Sequence, residues 1–358
     1  MTELEQRRKA VSAALASRKI DALLVTSLAN VRYLTGFAGS NAAVLATSSD
    51  THFFTDPRYG TDASRQVTCK VHVAKKPLTD AVAGILKRNR LKRIGFEPAW
   101  LNIEQHEKLK KRLPPGASLH ATDGIVEELR MVKSVTEIEQ IRRSVQANSD
   151  AYYKTLGRVR LGMRERDVAA ELDYQMRVHG AEKSAFDTIV AAGARSALPH
   201  AHPTDRRLEA NELLLIDMGA FVDGYASDMT RVSFLGFPPK RIRTLYRAVA
   251  EAQQAAIGAV RAGVTASRVD GVAREVLKRH ELERAFVHST GHGLGLEIHE
   301  GPRIGRKEKT KLRAGMVITI EPGAYIEGLG GVRIEDTVLV TERGCEVLTP
   351  TSKEFVNL

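Results

Sequence analysis

Residues 286–301 read FVHSTGHGLGLEIHEG, and the reading of this stretch decides what kind of protein the chain builds. Three histidines, His288, His292 and His299, fall within it, separated by glycines at Gly291, Gly293 and Gly295. Glycine at that density disfavours a regular helix, so the run is expected to be an irregular segment that presents imidazoles. A single histidine in such a loop is ordinarily a solvated side chain. These three acquire meaning only from what the fold brings to them.

Carboxylates are what it brings. Two flanking segments, LLLIDMGAFVDGYASDMTRVSF with Asp217 and Asp228, and MVITIEPGAYIEGLGGVRIEDTVLV with Glu321 and Glu335, read as strand runs folded about glycine-rich turns, as buried β-hairpins. Alternate side chains of a strand share a face. Val317, Thr319 and Glu321 then point one way, Arg333, Glu335 and Thr337 share a face of the returning strand, and Asp228 aligns with Thr230, Val232 and Phe234. An unpaired buried carboxylate costs several kcal/mol, so each acid needs a partner. Arg333 is the one evident cation on the second hairpin's buried face. Two divalent ions would neutralise all four acids at once, and mixed oxygen and imidazole donors suit manganese, cobalt, iron or zinc.

With these motifs in hand, the sequence resembles the pita-bread metallopeptidases, and within them the Xaa-Pro peptidases, aminopeptidase P and prolidase. The correspondence runs through Asp217 in IDMGA, Asp228 in ASDMTR, His292 in HSTGHGLGLEIHE, Glu321 in IEPG and Glu335 in VRIED. It extends to His200 in SALPH, to His288, His299 and Arg333, and to the amino-terminal segments NVRYLTGFAGSNA and FFTDPRYG, so it covers nearly the whole chain.

The resemblance implies a role for each of these residues. Asp217, Asp228, His292, Glu321 and Glu335 would hold two divalent ions, manganese favoured and cobalt or zinc alternative, with Asp228 and Glu335 bridging. Glu321 would also take the proton of the attacking water, His299 would hydrogen-bond the developing oxyanion, and His200 would contact the scissile amide or the new amine. His288 would wall the proline pocket, and Arg333 would orient Glu335 or bind a substrate carboxylate. His202, in PHAHP, is read as a rim residue outside the chemistry. The implied reaction is removal of the residue before proline from the amino terminus of peptides, with Xaa-Pro dipeptides as the alternative substrate. A homodimer is also implied. Two other classes stand beside this reading. Pita-bread proteins that serve as binding modules or hydrolyse creatine without metal would be expected to have lost carboxylates, whereas all five ligands are present here. Methionine aminopeptidases consist mainly of the catalytic half, and here some 130 residues precede it.

Composition narrows the remaining possibilities. At 358 residues the chain exceeds the roughly 250–300 at which one core stops growing, which predicts two domains. The expected division is an α/β domain of the creatinase type over 1–130 and an α/β (α+β) pita-bread catalytic domain over 134–358. The net charge of +11 raises nucleic acid as a partner. Runs such as KRNRLKR (87–93) and KLKKR (108–112) instead alternate with apolar residues at helical spacing, as solvated helix faces do, and aromatics, at 5%, do not interleave with them. No nucleic-acid partner is expected. No apolar run is long enough to span a membrane, and MTELEQRRKA lacks the apolar core of a signal peptide, so the expected location is cytoplasmic. Cys69 and Cys345 stand far apart, outside any disulfide or zinc spacing.

Along 1–130, helices alternate with strands at Ala42–Ala46, His52–Thr55, Lys70–Ala74 and Arg93–Phe96. From Ser134 the pattern changes. Ser134 and Glu137 form a capping box opening a long helix, a second helix spans Arg164–His179, and strands with His200, Asp217 and Asp228 follow. Helices near Pro239–Arg261 and Ala266–His280 then precede the histidine run, Glu321 and Glu335. The repeat of helix, helix and carboxylate hairpin predicts an internal pseudo-twofold with the metal site at its seam.

Overall fold

A computed structural model describes residues 1–358. Contacts divide the chain into two compact units, Met1–Arg130 and Met131–Leu358.

The first unit is a mixed six-stranded sheet ordered Lys70–Val73, Thr51–Thr55, Ala42–Thr47, Ala22–Val25, Arg93–Phe96, Ser118–Ala121. Strand Ala22–Val25 runs parallel to Arg93–Phe96 and antiparallel to Ala42–Thr47. Its four residues are all buried, as a central strand covered on both faces requires. The helix Leu28–Thr35 was not foreseen, although its signals are local: Ser27 caps its start and Gly36, at φ 77°, ends it in the left-handed region.

The second unit repeats one motif twice. Helices Val135–Leu156 and Glu165–Val178 pack on a four-stranded sheet ordered Val356–Asn357, Met229–Leu235, Glu212–Met218, Ile189–Ala192. Helices Lys240–Ala259 and Ala266–Arg279 pack on a five-stranded sheet ordered Glu300–Ile304, Gly291–Gly293, Val317–Ile320, Asp336–Val340, Cys345–Val347. The long first helix opens on the predicted box, Ser134 accepting from the Glu137 amide and Glu137 reaching back to Ser134. Side chains such as Val232, Leu215, Ile318 and Val338 are buried between helices and strands. Each contributes about 1.5–3 kcal/mol by leaving water.

Neither carboxylate hairpin is the continuous pair that alternation suggested. Strand Glu212–Met218 pairs with Met229–Leu235, but between them Ala220–Val222 and Tyr225–Ala226 peel away into a separate small sheet. In the second half Val317–Ile320 pairs with Asp336–Val340, while Gly323–Ile326 and Gly330–Arg333 form their own two-stranded ribbon. Pro322, which lacks an amide hydrogen and cannot extend the ladder, marks that break. Asp228, Glu321 and Glu335 therefore sit where strands switch sheets, and Asp217 sits one residue inside such an end. Side chains from both sheets converge there.

The histidine run is also more regular than its glycines implied. Gly291–Gly293 is a short strand between Glu300–Ile304 and Val317–Ile320, with an irregular register. The glycines answer to crowding: a Cβ at Gly291 would meet the Thr319 carbonyl oxygen at 2.0 Å, and one at Gly293 would meet that of Gly301 at 2.2 Å. No helix is long and apolar enough to cross a membrane.

Candidate metal centre

A cleft of about 600 Å³ in the second unit is lined by Asp217, Asp228, His292, Glu321, Glu335, His200, His288, His299 and Arg333 together. His202 lines it as well. His52, His106 and His179 do not.

His292, Asp228 and Glu335 each offer a ligand atom, all within 4.8 Å of one another. His292 Nε2 stands 3.5 Å from Asp228 Oδ2 and 3.6 Å from Glu321 Oε1. The other ring nitrogen, Nδ1, is 3.0 Å from the Gly293 carbonyl. A carbonyl only accepts, so Nδ1 carries the hydrogen and Nε2 presents a bare lone pair to the carboxylates. Burial holds the His292 imidazole down to about 4, so this ring is neutral at physiological pH. Lone pairs on nitrogen and on several carboxylates thus converge.

The acids carry the same strain. Burial first, then the Glu335 charge, pushes Asp228 well above the ordinary carboxylate range; burial, then Glu321, does so for Glu335. Burial raises Glu321 to about 7, against the pull of Arg333. Glu335 Oε2 accepts from Thr230 Oγ1 at 2.9 Å, but Glu335 Oε1 and Asp217 Oδ1 are buried with no hydrogen-bond partner. Such orphaned oxygens are rare in folded proteins. A group bearing several positive charges satisfies every one of these atoms, and mixed oxygen and imidazole donors are what borderline divalent metals take. The residues present fit a metal centre.

Beside this cluster runs a chain of polar contacts. Arg333 donates from Nη2 to Asp217 Oδ2, from Nε to Thr230 Oγ1 at 3.0 Å and from Nη1 to Tyr325 Oη at 2.6 Å. Tyr325 Oη is in turn 2.8 Å from His288 Nε2, while His288 Nδ1 faces the Ser289 carbonyl at 2.8 Å. His288 Nδ1 is therefore the donor nitrogen and Tyr325 donates to Nε2. Burial, then the Arg333 charge, lowers His288 to about 4 and fixes that neutral form. Tyr325 is the member sequence reasoning missed. Its signal is the pair of glycines on the ribbon: a Cβ at Gly323 would meet Tyr325 Oη at 2.6 Å, and one at Gly331 would meet its ring at 2.6 Å.

His299 stacks its ring edge-on to His292, centroids 4.5 Å apart, and burial lowers its pKa too. His200 is exposed on the loop 193–204, and Arg333 Nη1 donates to the Pro199 carbonyl beside it at 3.2 Å. The exposed cation Arg303 also lines the cleft.

Two sheets meeting at a pseudo-twofold seam, with acids and histidines converging there, define a pita-bread metal-dependent hydrolase. The chain belongs to metallopeptidase family M24, whose model matches residues 139–342, and residues 7–132 match the creatinase/prolidase N-terminal domain. It is 39% identical over 337 residues to an Xaa-Pro dipeptidase of Pyrococcus furiosus, covering 94% of this chain and 95% of that protein. The solved Xaa-Pro dipeptidase from Bacillus anthracis superposes with a TM-score of 0.97 at 36% identity, over 99% of this chain and 100% of the other. An X-Pro aminopeptidase from Thermotoga maritima superposes at 0.89 and 35% identity, over 95% and 98%.

Proposed function

We propose that the protein hydrolyses the bond between an amino-terminal residue and proline, with Xaa-Pro dipeptides as its preferred substrates. The observation that supports this most is one cleft lined by the five ligand residues, four further histidines and two cations, Arg333 and Arg303. The expectation from sequence placed longer peptides first. Relatives favour the dipeptide, since the two from Pyrococcus species, at 39% and 36% identity, are Xaa-Pro dipeptidases, while the Thermotoga maritima structure keeps the aminopeptidase as the second reading. A dipeptide also needs a cation for its free carboxylate, and Arg303 is an exposed one at the cleft.

Asp217, Asp228, His292, Glu321 and Glu335 would hold two divalent ions, with manganese the proposed metal. Such ions, when bound, lower the pKa of a shared water towards neutrality and polarise a carbonyl. The chain's own groups do the rest. Glu321, beside His292 Nε2, accepts the proton of the attacking water and returns it to the departing proline nitrogen. His299, neutral through burial, donates an N–H to the oxyanion that appears only as the carbonyl becomes tetrahedral. His200 hydrogen-bonds at the scissile amide. His288, held by Tyr325 and in edge contact with Phe286, presents an uncharged ring as a wall for the pyrrolidine. Arg333 holds Asp217 Oδ2 and, through Thr230, orients Glu335. A homodimer in the cytoplasm completes the proposal, the dimer being checked by sedimentation and overturned by a monomer at working concentration.

Steady-state hydrolysis of Ala-Pro against Ala-Pro-Ala by manganese-loaded protein tests the substrate. The dipeptide should have the higher kcat/KM. Preference for the tripeptide would overturn the dipeptidase reading, and failure to cleave either would overturn both.

A further inference from the structure

Two buried carboxylates outside the cleft, one in each half of the catalytic unit, share a set of contacts to a threonine and an arginine. Glu165, at the start of helix Glu165–Val178, is fully buried. Its Oε2 accepts from both the amide and the hydroxyl of Thr204, at 3.0 and 2.7 Å, and its Oε1 accepts from the Ala192 amide at 3.0 Å and from Arg195 Nε at 3.1 Å. Arg195 then donates from Nη2 to the His202 carbonyl at 2.8 Å. In the second half Asp270, fully buried in helix Ala266–Arg279, accepts from the amide and hydroxyl of Thr290 at 3.2 and 2.9 Å and from Arg274 Nε at 2.7 Å. Arg274 donates to the His288 carbonyl.

The pattern in both halves is a carboxylate that takes both donors of a threonine, and an arginine that links the carboxylate to the carbonyl of the histidine two residues earlier. It appears in the sequence as His202-Pro203-Thr204 and His288-Ser289-Thr290, an H-x-T repeat. Both second helices also enter through an isolated antiparallel bridge, Arg164 to Arg207 and Thr265 to Lys311. The two arrangements are assembled differently, with Arg195 on Gly193–Ala197 and Arg274 on the acid's own helix, yet each holds a segment that carries cleft histidines.

Its consequence is largest for His200. That side chain is exposed, so packing does not fix it, and its direction is set by where the backbone of residues 193–204 is tied. Arg333 ties Pro199, and Ser196 Oγ accepts from the Gly331 amide at 2.9 Å, on the upstream side. On the downstream side the ties are Arg195 to His202 and Glu165 to Thr204. We propose that Glu165 is a positioning residue: through Arg195 and Thr204 it holds the His200 segment at the scissile amide, as Asp270 with Arg274 and Thr290 holds His288. A buried carboxylate is suited to this because hydrogen bonds to an ionised acceptor are short and about twice as strong as neutral ones. The proposal rests on the role given to His200 above.

The test is a double-mutant cycle between Glu165→Gln and His200→Ala in manganese-loaded protein, with hydrogen exchange read at the Ala192 and Thr204 amides. Glutamine keeps the shape but replaces one accepting oxygen by a donor. Glu165→Gln should lower kcat/KM about 10–100-fold, as loss of an orienting partner does, with metal content unchanged and exchange faster at both amides. In the His200→Ala background the same change should cost less than about twofold, because the histidine it positions is gone. A purely structural role would give the same loss in both backgrounds, and that additivity, or wild-type activity in Glu165→Gln, would overturn the proposal. A wild-type rate in His200→Ala alone would instead overturn the role of His200. Should Glu165→Gln not fold, Arg195→Met removes the arm to His202 together with its bonds to Glu165 and is read by the same cycle: loss confined to protein that keeps His200 supports the proposal, and additive or absent loss overturns it.

Discussion

Arg333 donates to Asp217 through Nη2, so one oxygen of this carboxylate is committed to a guanidinium while the other, Oδ1, is buried and unpartnered. In the proposed centre a cation and a metal would divide one acid between them, and Asp217 would enter it already oriented. The same guanidinium reaches Thr230, which donates to Glu335, so a single arginine sets two of the proposed ligands from opposite halves of the unit.

Replacing Arg333 by lysine should therefore do more than weaken one contact. A lysine cannot reproduce the planar fork that serves Asp217, Thr230 and Tyr325 at once. Arg333→Lys should lower kcat/KM by about 10–100-fold and weaken metal binding in parallel, measured by kinetics and by competition with a chelator. Unchanged metal affinity would show that Asp217 is oriented without it.

The histidines of the central run should separate by role. His299→Ala should lower kcat by about 100-fold or more with a small change in KM, as loss of an oxyanion donor does. His288→Ala should raise KM or relax the demand for proline with metal content retained, and His292→Ala should lose metal. Equal metal loss in all three would mean the run acts only as one structural loop.

Metal-free protein should lose stability as pH rises from about 6.5 to about 8. Glu321, raised to about 7, and Asp228 and Glu335, also raised, bind protons more tightly folded than unfolded, so folding weakens as pH climbs through their folded values. His288 and His292, lowered to about 4, act with the opposite sign, but only below the ordinary imidazole value near 6.5, where the two effects offset each other. Above it the carboxylates act alone. Manganese should raise Tm and remove the decline, since an ion that binds only the folded state stabilises it by mass action. Thermal melts across this range check the sign, and a rising Tm in the chelated protein would contradict it.

Arg303→Ala should raise KM for Ala-Pro by about two- to fivefold and change hydrolysis of Ala-Pro-Ala by much less, because an exposed ion pair contributes up to about 1 kcal/mol. Equal effects on both peptides would remove Arg303 from carboxylate recognition.

Much of this arrangement is written locally in the chain. The Ser134–Glu137 box, the helix pairs and the acids among apolar strand residues each follow from spacing and burial cost, which a linear sequence displays. The ribbon Gly323–Ile326 with Gly330–Arg333 was harder, because period-two alternation runs on through Pro322 and does not reveal that a strand has changed sheets. Tyr325 was missed for that reason: its neighbours His288 and Arg333 are brought to it by two different turns of the backbone. Glu165 and Asp270 were hidden differently. Each lies on a helix where an acid ordinarily meets solvent, and only the threonine arriving from a distant loop, joined at Glu165 by Arg195, shows that it is buried. The H-x-T repeat is visible in the sequence but is too short to carry weight until both copies are seen making the same contacts.

The central claim is that this cleft works through a pair of metal ions held by Asp217, Asp228, His292, Glu321 and Glu335. Chelated protein titrated with Mn(II), with bound ions per chain and Ala-Pro hydrolysis followed in the same samples, tests it most directly. Activity should vanish on chelation, return as ions bind and saturate at about two per chain, and Glu335→Gln should recover almost none of it. Full turnover by metal-free protein, or saturation at a single ion, would contradict the account.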